Sequence, residues 1–245
     1  MISAQPHNYY KLADQPVDSS LGNVLFVIAG VIGIANKKRY SFAFPEWPNN
    51  RFFKYRLPVV RDIRKLKTFC IPKNYKGFDI GFMGFDRIPD NVMIDGYLGS
   101  EKYFEHCKNS IRTLLTMKDL CQPLEDCIIM HYRDYSKYPE FFNLKKDYYM
   151  EALKKFPDKK VVVITDNVKK AKDEFQEDFD YISNSPIVDF YLLTKAKYLI
   201  MANSTFSWWG AWLSQAQTVA PLNWYAESWS DCPKKDLYCK EWEVI

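Results

Sequence analysis

Three short stretches of polar and charged side chains each follow an apolar run, and two of them could hold a diphosphate. His131-Tyr132-Arg133-Asp134-Tyr135 follows Cys-Ile-Ile-Met, Thr165-Asp166-Asn167 follows Val-Val-Val-Ile, and Asn203-Ser204-Thr205 follows Tyr-Leu-Ile-Met-Ala. A guanidinium is the group best shaped to grip a diphosphate and spread its developing charge, so Arg133 is the first candidate. A helix start exposes unpaired N–H groups at a positive dipole end, so Asn203, Ser204 and Thr205 form a second anion-holding element, with Thr205 as the expected N-cap. His131 and Asp134 are candidate general bases, His131 favoured because an unperturbed imidazole titrates near neutrality. Taken alone, each stretch also has a plainer reading. A Ser-Thr pair caps ordinary helices, an Arg at a strand end commonly pairs with a nearby carboxylate, and Asp166 could cap the helix that follows it.

The elements that must position these residues are legible from periodicity. Residues 127–132, 161–164 and 198–202 read as buried strands, with 181–182 as a short one. Residues 146–156 read as a helix with an apolar face of Tyr148, Tyr149, Ala152 and Leu153, and 168–175 as another. Ser185 and Pro186 open a further helix carrying Asp189, and a helix follows 203–205. Strand alternating with helix from residue 127 onward argues for a parallel sheet flanked by helices. In such sheets ligands sit at the carboxyl ends of the strands, where His131 and Arg133 fall.

The N-terminal half is harder to read. Residues 1–20 contain Pro6 and Pro16 without alternation and suggest an extended arm or loop. The apolar run 21–35 holds Gly22, Gly30 and Gly33, is short for a membrane span and lacks a preceding basic cluster, so a buried helix is expected. Gly22 would let backbone approach a ligand and Asn23 would offer a donor and an acceptor, although Gly-Asn also makes plain turns. Strands are expected at 39–44 and 92–98, and a helix from Ser100 toward residue 116. Residues 47–56 and 61–67 are basic and aromatic and read as solvated surface. Residues 117–126 suit a linker between halves, and the segment after Tyr225 reads as a variable tail.

The 245 residues are 47% hydrophobic and 26% charged, as soluble globular proteins are. Aromatics make up 17%, some of which could stack on sugars while others must be core. The formal charge of +4 suits a local anionic ligand, and nothing in the sequence forms a nucleic-acid stripe. Six cysteines without C-x-x-C spacing and only three histidines argue against a zinc site. Reduced thiols and a cytoplasmic location are expected.

The string from Asn203, Asn-Ser-Thr-Phe-Ser-Trp-Trp-Gly-Ala-Trp-Leu, resembles the C-terminal signature of glycosyltransferase family 11, the α-1,2-fucosyltransferases and their relatives. The resemblance extends over 127–225, with two islands at 21–38 and 96–104. Gly22 and Asn23 match the family's Gly-Asn pair, and Tyr148, Tyr149, Ala152 and Leu153 its Tyr-Tyr-x-x-Ala-Leu helix. Asp189 and Leu192 match a later Asp and Leu. Where the family has His-x-Arg-Arg-Gly-Asp-Tyr, the stretch from His131 to Tyr135 is two residues short, so either the second arginine is lost or the loop is remodelled. Thr165-Asp166-Asn167 resembles the family's Ser-Asp-Asp, where an Asp can accept from the N1–H and N2–H of guanine.

This resemblance implies an α/β protein of GT-B type: two facing Rossmann-like domains, 1–120 on the acceptor side and 121–245 binding the GDP-sugar on a parallel sheet. It implies an inverting transfer of L-fucose from GDP-β-L-fucose to a glycan hydroxyl. Arg133, Ser204 and Thr205 would hold the phosphates, while Asn23 and His131 would lie near the reacting carbon. No metal or other cofactor is expected, nor a stable membrane span, while peripheral membrane contact is compatible with the sequence. The alternatives are another nucleotide-linked deoxysugar donor and an inactive glycan-binding relative.

Overall fold

A computed structural model of the chain describes residues 1–4 and 21–245. The chain divides into two compact units: Met1–Lys118 with Pro233–Cys239, and Asp119–Cys232 with Lys240–Ile245. The sequence places the division at 120; in the structure it falls at Lys118, and a late segment returns to the first unit. Asp236 ties that segment in, accepting from the Phe82 N–H and from Lys102 Nζ.

The first unit has a parallel sheet of three strands in the order β1-β3-β2, with β1 at Ser3–Ala4, β2 at Lys67–Cys70 and β3 at Val92–Asp95. The extended arm expected over 1–20 is therefore a strand at its start, because Ser3 and Ala4 pair with Met93 and Ile94; the rest of that expectation lies outside the described residues. Residues 39–44 make isolated bridges, Ile2 with Phe42 and Phe44 with Val59, in place of a continuous strand. Helix α1, Leu21–Lys38, is apolar on nearly every side and correspondingly buried inside this unit. By length and composition it could cross a membrane, but 78% of its apolar window is buried within the structure.

The helix expected from Ser100 is broken into two 3-10 turns, Glu101–Tyr103 and Glu105–Cys107, before α2 at Lys108–Leu114. The break lets residues 103–104 lie directly on α1 at Gly33. A Cβ there would stand 2.1 Å from the Tyr103 carbonyl oxygen and 2.8 Å from the Phe104 Cα.

The second unit is an all-parallel six-stranded sheet in the order β6-β5-β4-β7-β8-β9. Its strands are β4 Cys127–Tyr132, β5 Lys160–Thr165, β6 Asp180–Ile182, β7 Tyr198–Ile200, β8 Gln217–Ala220 and β9 Glu243–Val244. Counting from β4, this is the 3-2-1-4-5-6 order of doubly wound nucleotide-binding sheets, and the order reverses between β4 and β7. Helices α3 (Lys146–Leu153), α4 (Val168–Phe175), α5 (Pro186–Leu193) and α6 (Thr205–Ser214) make the crossovers. The expected α/β class with a parallel C-terminal sheet is what the structure has.

β4 is buried at every position, consistent with a central strand covered on both faces. Its alternation sends Ile128, Met130 and Tyr132 into a core with Tyr149 of α3 and Phe175 of α4. His131 goes the other way, stacking on Phe206 of α6, which in turn meets Phe190 of α5. Trp208, Trp209 and Trp212 are all fully buried in this layer, packed on one another and on Trp242. They are core, so none offers a free face to a sugar. The tail is not irregular throughout: Glu243 and Val244 pair with Val219 and Ala220 as the edge strand β9.

Adding one methyl at Gly33 pushes against backbone that cannot move aside, and Gly33→Ala is expected to destabilise the protein by about 1–3 kcal/mol. A denaturant melt within about 0.5 kcal/mol of the unmodified protein would contradict this packing.

Candidate active site at the strand-order reversal

β4 and β7 part company at their carboxyl ends, because the crossovers that follow them run to opposite sides of the sheet. The gap so formed is bordered by the loop after Tyr132, the loop after Thr165 and the start of α6. Three of the sequence candidates meet there. Arg133 Nη1 lies 2.9 Å from Asp166 Oδ2, and both side chains are partly exposed. The guanidinium also sits over the Tyr135 ring at 5.9 Å. Burial raises the Tyr135 pKa, while Arg133 and then the Ser204 side chain oppose the rise, which places one tyrosine between the Arg133 loop and the tip of α6.

Ser204, and not Thr205, is the N-cap: its Oγ accepts from the Phe206 N–H at 3.2 Å, and Thr205 is the first helical residue. The reason is geometric, since Ser204 has extended backbone (φ −135°, ψ 134°) and can aim its oxygen back at the first turn. Asn203 is a different case from a phosphate ligand. It is fully buried, and its Nδ2 donates to the carbonyls of Phe142 at 2.7 Å and Trp224 at 2.8 Å. That one amide stitches the loop after β4 to the loop after β8 beneath the helix tip, so Asn203 positions the site and does not present its side chain to a ligand.

Thr165 is buried, its Oγ1 accepting from the Asn167 N–H. Asn167 caps α4 through the Lys170 N–H at 3.1 Å, which leaves Asp166 free of the capping role and available to Arg133. Asp189 is buried and accepts from both the backbone N–H and Nδ2 of Asn184. Burial, and then the nearby charge of Asp166, raise its pKa, so it orders the turn into α5 and is not itself open to a ligand. Gly22 and Asn23 belong to the first unit. Gly22 is an ordinary helical residue in α1, not a left-handed turn, and Asn23 Oδ1 accepts from the Tyr97 hydroxyl at 2.7 Å. Tyr97 is held by buried Asp79, which accepts from its N–H at 2.6 Å.

The two candidate bases are both poorly suited to that task. His131 is buried, and burial together with the charge of Arg133 lowers its pKa to about 3. An imidazole so weakly basic stays neutral at pH 7 and takes a proton reluctantly, which weighs against His131 as the base. For Asp134, burial pushes the pKa up, but hydrogen bonds from Lys170 and Ser136 outweigh it and leave the carboxyl below its ordinary range. Lys170 Nζ reaches Asp134 Oδ1 and Ser136 Oγ, each at 2.9 Å, and so pins the shortened loop to α4. Neither Tyr135 nor Lys170 was singled out from the sequence. Tyr135 could have been, as the aromatic that ends the His-x-Arg stretch, whereas nothing in the spacing links Lys170 to residue 134.

The depressed His131 pKa has a testable sign. Below its ordinary value of 6.5 the unfolded chain takes a proton that the folded chain refuses until about pH 3. Stability on this account is intact above pH 6.5 and falls by about 1.4 kcal/mol per pH unit beneath it. Urea titrations between pH 7.5 and 5 should show that slope reduced in His131→Asn; equal slopes would place the histidine in water.

Residues 143–245 match the family model for Glycosyl transferase family 11. An alpha-1,2-colitosyltransferase from Escherichia coli is 30% identical over 178 residues, covering 59% of this chain and 61% of that protein. The O-antigen biosynthesis glycosyltransferase WbnK, also from Escherichia coli, is 36% identical over 96 residues, covering 34% of this chain and 32% of that protein. The chain thus spans about three fifths of the length of the first relative and a third of the second. Fucosyltransferase NodZ from Bradyrhizobium superposes over 78% of this chain and 88% of its own, at 15% identity and a TM-score of 0.48. That superposition is too loose to bear on the fold, which rests on the strand order. The stretch 143–245, which holds the Asn-Ser-Thr-Phe-Ser-Trp-Trp signature, is thus the part of the chain that is similar to glycosyl transferase family 11.

Proposed function

We propose that the protein transfers a deoxysugar, L-fucose or a close relative, from its GDP-linked form to a hydroxyl of a glycan, with inversion and in an α-1,2 linkage. The observation that carries the reading is the meeting of Arg133, Asp166 and the Ser204-capped tip of α6 where the strand order reverses. A guanidinium and a helix tip suit the two phosphates, and the resemblance of Thr165-Asp166-Asn167 to the family's Ser-Asp-Asp is what supports Asp166 at the guanine edge.

On this reading the step is displacement at the anomeric carbon through an oxocarbenium-like state. The bond to the GDP oxygen breaks as the acceptor oxygen arrives from the opposite face. The charge that builds on the leaving diphosphate is met by Arg133 and by the N–H groups at the start of α6, which are fixed in advance and need no rearrangement. With His131 neutral and weakly basic and Asp134 engaged by Lys170, the acceptor oxygen loses its proton late, to solvent water, and stabilising the departing GDP is the main source of rate. We propose no metal, since fixed cationic and dipolar groups occupy the role, and a cytoplasmic setting for a chain with six free thiols.

A second donor is favoured by one comparison, the 30% identity to a colitosyltransferase. The loop after Arg133, shortened relative to the family motif, lies where the donor would be held. A donor panel of GDP-fucose and GDP-colitose, with released GDP as the readout, separates the two.

Arg133→Ala is expected to lower transfer by about 100- to 1,000-fold and to weaken GDP binding in calorimetry by at least about tenfold. A variant that keeps both properties would remove Arg133 from the site. Turnover is also expected to persist in excess EDTA, and a strict requirement for Mn²⁺ would overturn the metal-free mechanism.

A further inference from the structure

The first unit carries a surface that lies outside the candidate site. Between residues 51 and 67 stand seven Lys and Arg against one acid, Asp62, a formal +6 on a chain whose total is +4. All seven cations are exposed. Among the described residues Arg64 alone of them is ion-paired, with Asp62 at 2.9 Å. Two apolar side chains stand out among them: Tyr55 is 51% and Val59 55% exposed.

The backbone holds this surface in shape. Phe53 bridges to Met117, the Lys54 N–H donates to the Thr116 carbonyl, and the Lys118 N–H donates to the Phe52 carbonyl. Further along, Val59 bridges to Phe44, whose N–H donates to the Pro58 carbonyl. Phe53 and Leu57 point inward and are buried, Phe53 against Trp47 at 5.5 Å. With those two anchoring the stretch, Lys54, Tyr55, Arg56 and Val59 remain on the water side. Tyr55 and Val59 are therefore presented by a fixed frame.

We propose that residues 51–67 dock the protein on an anionic phospholipid bilayer. Unpaired cations supply attraction to the negative surface potential, and the apolar tips enter the boundary between headgroups and acyl chains, where tyrosine is at home. Charge complementarity selects this occupant. A protein partner would ordinarily offer carboxylates in register with individual cations, and a nucleic acid would gain nothing from Val59. The inference does not depend on the transfer reaction, because none of these residues belongs to the site.

Cosedimentation of the full chain with vesicles tests it directly. Binding is expected to vesicles containing phosphatidylglycerol, not to pure phosphatidylcholine, and should weaken as salt rises. Arg56→Glu with Arg61→Glu should lower the partition coefficient on the order of 30-fold. Tyr55→Ser with Val59→Ser should lower it by about 3- to 10-fold. Both variants should keep the melting temperature and GDP titration of the unmodified protein. Failure of the unmodified protein to sediment would overturn the proposal. So would binding that survives the charge reversals, or binding indifferent to loss of Tyr55 and Val59, which would mark a general polyanion surface; heparin should then compete equally with either pair of residues present.

Discussion

β4 is hydrogen-bonded along both edges, to β5 and β7, and covered on both faces. Such a strand has one way out. The chain leaving Tyr132 must turn away at the carboxyl end, and the chain leaving β7 must turn the other way into α6, because their helices cover opposite faces. The space between the two exits cannot be filled by either crossover. Loops from β4, β5 and β8 line it instead, and the hydrogen bonds of Asn203 to Phe142 and Trp224 fix two of those loops relative to the helix tip. Trp208, Trp209 and Trp212 of α6 itself are buried against one another and anchor the helix behind that tip.

Electrostatics at the opening follows from the same burial. His131 points from β4 into the layer under α6, and a proton there would be poorly hydrated and close to Arg133, so the ring stays neutral. The ring packs on Phe206 near the helix start. The ionised groups sit one step further out, in two cross-loop pairs: Arg133 with Asp166, and Lys170 with Asp134. Each pair joins the loop after β4 to the loop or helix after β5. A shortened loop is thereby held in a single shape by partners from its neighbour.

The second unit was largely legible in the sequence, because a parallel sheet covered on both sides demands unbroken apolar strands that end in polar residues. The bounds of β4 and α4 match the periodicity to the residue. What escaped was set by partners distant in sequence. β9 is two residues long and exists only because β8 offers an edge, and β2, with its exposed Lys67 and Thr68, pairs with β3 without any apolar alternation. The cap at Ser204 in place of Thr205 depends on one backbone dihedral, which residue type alone does not fix. Within the site, residue types identified Arg133 and Asp166 but not that they bind each other. Asn203 looked like a ligand because its amide is polar, while its burial, which decides otherwise, is a property of the loops above it.

The contact between Arg133 and Asp166 is half in water, and pairs of that kind are worth less than about 1 kcal/mol. A weaker tether would let the long arginine chain wander, and a deeply buried one would have to be torn open before any other partner could reach it. This one holds the guanidinium in place yet leaves it open to exchange for a more highly charged partner at little expense. The carboxylate then stays on hand to take the cation back, which makes Asp166 the resting partner of Arg133.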